Sequence, residues 1–167
     1  MPEKKTLKAA QRDKRQGKAP STQAGEFIRE EMHHIREGKH GARSAKQAIA
    51  IGLSKARRAG VELKPPAKGQ ASERTRKSAK RAYARGHGAP PKSTPSAKRS
   101  KAITRALKRE GHQAASHKAL SRQAHSAAKK RSASQRSASA RRAAQTKGPA
   151  KRRAAARKAA RTRARAA

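Results

Sequence analysis

The chain has no cysteine and no tryptophan, one Phe, one Tyr and only nine acidic residues in 167. Without thiols there is no disulfide, no Cys-ligated metal and no thiol nucleophile. Single-strand and sequence-specific RNA modules stack bases on aromatic rings, and two aromatic residues make a poor supply for that. The longest apolar run, Ala48-Ile49-Ala50-Ile51-Gly52-Leu53, is far short of the ~20 residues that a membrane span needs. Met1-Pro2-Glu3-Lys4-Lys5 leads into no apolar stretch of the secretory kind, so a cytoplasmic location is expected, with no membrane partner. There is no P-loop and no G-x-G-x-x-G. Ser116-His117 and His125-Ser126 lie in segments too poor in large apolar residues to hold a nucleophile and base in register. No catalytic residue, cofactor site, metal site or small-molecule substrate is expected, and the protein is not read as an enzyme.

What the chain does have is positive charge. Lys and Arg number 47, the net charge is +38, and the isoelectric point is near 12.0. Charge at this density opposes a compact chain by self-repulsion unless a polyanion neutralises it. Duplex DNA carries one charge per ~1.7 Å, so this excess matches about 65 Å of duplex. The implied partner is nucleic acid, double-stranded DNA before RNA.

Large apolar residues are few and uneven. Phe27, Ile28, Met32, Ile35, Ile49, Ile51, Leu53, Val61 and Leu63 are nine of fifteen, and Glu26, Glu30, Glu31 and Glu37 lie among them. Few bulky apolar residues with high net charge is the composition of disorder. The expected fold class is therefore a mostly disordered chain with all-α elements. Residues 1–20 are read as a basic disordered arm and 21–64 as a small antiparallel helical hairpin. Residues 65–95 are read as a Pro/Gly-containing linker with a short helix at Glu73–Arg85, its far side broken by Gly86, Gly88, Pro90, Pro91 and Pro95. Residues 96–128 are a second, weaker helical pair, and 129–167 a low-complexity Ala/Arg/Lys/Ser tail, disordered when free and partly helical when bound.

In the hairpin, the first helix runs from about Ser21–Gly25 to Glu37, with Ile28, Met32 and Ile35 at i, i+4 and i+7 and Gly38 as its stop. The second opens on Ser44-Ala45-Lys46-Gln47, an S-x-x-Q capping box. Ala45, Ala48, Ile49, Gly52, Leu53 and Ala56 make a stripe of mostly small residues, and Gly60 and Val61 close it. Arg36-Glu37-Gly38 recurs as Arg109-Glu110-Gly111 at the weaker pair, an echo of the first hairpin. His33–Glu37 and Glu30–His34 are i, i+4 pairs near His40, read as ion pairs on an exposed face rather than a metal site.

The segment Gly25–Gly60, through Glu26-Phe27-Ile28-Arg29-Glu30-Glu31-Met32-His33-His34-Ile35-Arg36-Glu37-Gly38-Lys39-His40-Gly41 and Ser44-Ala45-Lys46-Gln47-Ala48-Ile49-Ala50-Ile51-Gly52-Leu53, resembles an uncharacterised family of short basic bacterial proteins. Its members tend to carry transferred labels such as DNA-binding or plasmid-stabilisation protein. The tail looks like the basic tails of linker histones and bacterial histone-like proteins. These resemblances imply bacterial origin and nucleoid association.

The functional expectation is a histone-like, nucleoid-associated protein that binds DNA without sequence preference, by phosphate neutralisation. The residues expected to contact phosphate are Lys46, Lys55, Arg57 and Arg58 on the hairpin, and Arg141, Arg142, Lys151, Arg152, Arg153, Arg157, Lys158, Arg161, Arg163 and Arg165 on the tail. Two alternatives remain: an RNA- or ribosome-associated basic protein, and an adaptor whose hairpin binds a protein partner, plasmid maintenance included. Weak self-association through the hairpin is a further expectation.

Overall fold

In a computed structural model that describes residues 2–90 and 96–166, the chain forms seven α-helices and one 3-10 turn, with no strand among the described residues. The helices are α1 (Lys4–Arg15), α2 (Pro20–Arg36), α3 (Ala45–Arg58), α4 (Glu73–Gly86), α5 (Ala97–Arg109), α6 (His117–Lys129) and α7 (Ala133–Ala166), and the turn is His112–Ala115. The expectation of a mostly disordered chain around one hairpin is overturned. The chain divides into two units, Met1–Gln123 and Ala124–Ala167.

In the first unit, α2 and α3 pack against each other as expected from their stripes, but as the middle of a larger array. α1 packs on α2, α4 packs on α3, and the 3-10 turn rests on both α2 and α3. Pro20 stands in the first turn of α2, where its fixed φ is helical and its missing N–H costs nothing. Ser44 caps α3 by accepting the Gln47 N–H at 3.3 Å, while Gln47 Oε1 accepts from the Arg43 N–H at 2.9 Å. The capping box therefore closes one residue earlier than its pattern implies. Gly60 takes φ +82° and Val61 N–H returns to the Ala56 carbonyl at 3.1 Å, a left-handed cap that turns Val61 into the core. At Gly52 a Cβ would stand 2.8 Å from Ile28 Cα, so the missing side chain there lets the backbones of α2 and α3 approach each other directly.

Two apolar clusters hold this unit. One joins Met32, Ile35, Ala42 and Ala48 to Ala114 and Ala115, with Ile28, Ile49 and Leu120 against it. The other joins Phe27, Ala24, Ala56 and Val61 to Ala10, with Leu7, Leu53 and Leu63 against it. Residues 1–20 are thus no disordered arm: α1 lays Leu7 and Ala10 over Phe27. Residues 65–95 are not simply a linker either. α4 buries Ala79 and Ala82, and Gly86 lies so close to the Arg57 carbonyl that a Cβ would collide with it. Pro91 and Pro95, read as breaks, lie outside the described residues.

The weaker pair at 96–128 is corrected in kind. Its helices form, but α5 buries no side chain. The docked part is the turn between them. Gly41 N–H donates to the Leu107 carbonyl at 2.8 Å and Ala42 N–H to the Gly111 carbonyl at 3.2 Å. Arg36 Nε donates to the Ala115 carbonyl at 2.9 Å. The two echoed Arg-Glu-Gly turns lie against each other rather than heading two equivalent hairpins.

In the second unit, α7 is helical where disorder was expected. It breaks at Gly148 (φ 69°, ψ 165°), just before Pro149. Ala, Arg and Lys have high helix propensity, and that local preference prevails over like-charge repulsion along the rod.

Candidate nucleic-acid interface

Each of the nine acids lies within 4.0 Å of a basic side chain. Asp13 is buried and meets Lys18 at 2.6 Å. Glu30 and Glu31, both buried, share the Lys55 ammonium at 3.3 and 2.7 Å. Burial pushes the Glu30 pKa up, but hydrogen bonds from Thr6 and the Glu3 N–H, together with Lys55, hold it below the usual carboxylate range. Glu3 is lowered to about 2, first by its hydrogen bond with His34 and then by Lys5. Glu62 accepts from Tyr83 Oη at 2.6 Å and meets His87 Nε2 at 2.6 Å; these two bonds lower its pKa. Seven Lys and Arg do the pairing among the described residues: Lys5, Lys18, Arg29, Lys39, Arg43, Lys55 and Arg76.

The carboxylates are thus engaged in the fold, and two cationic surfaces are left without them. The first is a cleft of about 670 Å³ in the first unit, lined by Arg58 of α3, Arg81 and Arg85 of α4 and Arg99 of α5, with Ser54, Ser78, Ala82, Ala84, Ala89 and Pro90. No acid lines it. Arg58 Nε donates to the Ser54 carbonyl at 3.2 Å, which fixes the guanidinium from its stem side. Sequence reasoning named only Arg58 here. Arg81 and Arg85 are i, i+4 neighbours on α4, a signal that was legible once residues 73–86 were read as a packed helix instead of a piece of linker.

The second surface is α7. Arg141, Arg142, Lys151, Arg152, Arg153, Arg157, Lys158, Arg161, Arg163 and Arg165 are all exposed, and the unit from Ala124 onward contains no acid. Arg157, Arg161 and Arg165 share one face at intervals of four.

Of the expected hairpin contacts, Lys46 and Arg58 are exposed. Lys55 is not available, because it is half-buried between Glu30 and Glu31. Arg57 is buried, donates from Nε to the Leu63 carbonyl at 3.0 Å and has its pKa lowered by desolvation. Both belong to the interior of the fold. Lys55 is drawn in by the acids of α2, and Arg57 by the segment after α3 and by Gly86 of α4.

The histidine pairs read from spacing are replaced by others. His34 pairs with Glu3 at 2.8 Å and His40 with Glu31 at 3.0 Å, while Glu37 pairs with Lys39 at 3.0 Å. Tyr83, the one aromatic outside the core, stacks on His87 with ring centroids 4.0 Å apart.

No helix among the described residues is long and apolar enough to cross a membrane. No curated protein and no solved structure matches the chain. Residues 19–69, which hold α2, α3 and the turn after them and include the stretch that carries the resemblance drawn from sequence, match a family of unknown function (DUF6496).

Proposed function

We propose that this protein binds duplex nucleic acid, DNA in the first place, through phosphates and without reading base sequence, as a nucleoid-associated factor. The observation that carries this reading is the division of charge. All nine carboxylates are paired within the first unit, so the arginine cleft and α7 face outward with nothing to neutralise them. A guanidinium offers a planar fork that matches phosphate geometry. Contacts of that kind position a protein on the duplex and carry no sequence information directly. Tyr83, already stacked on His87, supports phosphate contact over base stacking. The apolar faces of the hairpin are covered by α1 and the 3-10 turn, which favours the charged surfaces over those faces as the binding element.

The test is anisotropy titration of two unrelated duplexes and a structured RNA over a salt series. Phosphate neutralisation gives a log–log salt slope of about −0.9 per contact and nearly equal affinity for the two duplexes. A preference of about 10³ or more for one duplex is the range of specific recognition and overturns the reading. Tighter binding to the RNA in the same salt moves the partner from DNA to RNA.

A further inference from the structure

The first unit also contains a cluster that phosphate binding does not use. Glu31, on the inner face of α2, His34 one turn later, and His40, in the loop before α3, bring one carboxylate oxygen and two imidazole nitrogens to within 4.8 Å of one another. We propose that these three side chains form a divalent-metal site of the Zn²⁺ class. Two imidazoles and a carboxylate are a donor set that Zn²⁺ takes in tetrahedral geometry, with bonds of ~2.0–2.1 Å and ligand atoms about 3.4 Å apart. His40 Nε2 and Glu31 Oε1 already stand 3.0 Å apart.

Three surrounding features favour metal over a plain ion pair. His40 Nδ1 lies 3.1 Å from the Gly41 carbonyl; donating there fixes the tautomer that leaves Nε2 to bind, the usual support behind a ligating histidine. The far oxygen of Glu31 receives no well-aligned hydrogen bond, although the Lys55 ammonium lies 2.7 Å away; that contact holds the carboxylate still and directs its other oxygen at His40. His34 and Glu3 also line a cleft of about 420 Å³ between α1 and α2, together with Glu26, Glu30 and Glu37. Lys5, Arg29 and His33 line it as well, and His34 is the ligand that reaches it, so the cleft is the path by which an ion enters the cluster from solvent. Glu3 Oε1, 2.8 Å from His34 Nε2, either steadies that ring or supplies a fourth oxygen. The bound ion would tie the α2–α3 loop to α2, and hence to the turn that the loop docks on.

The experiment uses the full chain without a histidine tag, stripped with chelator and free of nucleic acid, titrated with Zn²⁺ and with Co²⁺. One equivalent binds, Co²⁺ develops the visible bands of a four-coordinate site, and the melting temperature rises with metal. His40→Ala and Glu31→Gln each weaken binding by about tenfold or more, with the apo fold of each verified by circular dichroism. His33→Ala, one residue from His34 but outside the cluster, binds as the native chain does. The proposal is overturned if the native chain takes up no stoichiometric metal, if His40→Ala and Glu31→Gln bind as tightly as the native chain, or if His33→Ala weakens binding as much as they do.

Discussion

At the scale of single residues, the backbone contact at Gly52 and the tie at Glu62 make the sharpest predictions. A methyl at Gly52 meets the Ile28 backbone, so Gly52→Ala should force α2 and α3 apart and cost about 1–3 kcal/mol, read in urea unfolding. A loss near zero would show that the crossing is looser than 2.8 Å to Ile28 Cα implies. Glu62, Tyr83 and His87 fasten the end of α4 to the segment after α3. The His87 pKa is raised from its ordinary value, first by its hydrogen bond to the Tyr83 carbonyl and then by Glu62, against the opposing effects of desolvation and of Lys14. A raised histidine stabilises below its unfolded pKa and loses that contribution as pH climbs through the folded value; a lowered carboxylate stabilises above its unfolded pKa and loses it as pH falls. The tie is therefore strongest between about pH 4.5 and 6.5 and loosens above. NMR titration should place His87 above the free-imidazole range, and Glu62→Gln should remove part of that elevation while the bond to the Tyr83 carbonyl keeps the rest. Residue-level chemistry of this kind was not legible in the sequence, because Glu62 and His87 are 25 positions apart and meet only once α4 folds back on α3.

At the scale of elements, α2 and α3 were legible because stripe, cap and stop agreed. α1 was not foreseen, and the helix read at Glu73–Arg85 was foreseen without its packing on α3, for one physical reason. The first buries Thr6, Ala10 and Asp13, with Leu7 half-buried beside them, and the second Ala79 and Ala82, with Gly86 pressed on α3; apart from Leu7 these residues are too small or too polar to register as apolar periodicity. Small residues do not bury much area singly, but they allow a close approach, and large neighbours such as Phe27 supply the area. Removal of residues 2–15 should accordingly uncover Phe27, lower the melting temperature and raise binding of a hydrophobic dye. Phe27→Ala, which empties the same cluster, should cost about 3–5 kcal/mol. An unchanged melting curve in both would mean that α1 is an ornament on the hairpin. The docking of the 3-10 turn was likewise unreadable, since it rests on two buried alanines, Ala114 and Ala115, and on hydrogen bonds to backbone carbonyls from Arg36, Gly41 and Ala42, none of which makes an apolar period.

At the scale of the whole molecule, the proposed polyanion binding rests on residues that the fold does not use, and deletion should separate the two. Truncation after Ser132 removes α7, with its exposed cations and no acid. The melting temperature of the remainder should stay where it was, while the salt slope becomes shallower and affinity falls about equally for unrelated duplexes. Replacing Arg58, Arg81 and Arg85 together by Gln should lower affinity further in the truncated chain, again without base preference. If truncation left the slope unchanged, α7 would not be touching phosphate.

The pairing of all nine acids also constrains how this chain can change over generations. Each acid answers to a specific partner, so exchanging it is felt by the fold. A cation on α7 answers only to the summed charge of its neighbours, so Lys and Arg there can trade places, shift by a turn or be lost one at a time at little cost. Relatives of this protein should therefore diverge asymmetrically. Glu3, Glu30, Glu31 and Glu62 should persist together with the partners described for them, while the basic positions drift and only their total is held. An alignment in which the acids vary as freely as the arginines of α7 would show that the pairs are decoration.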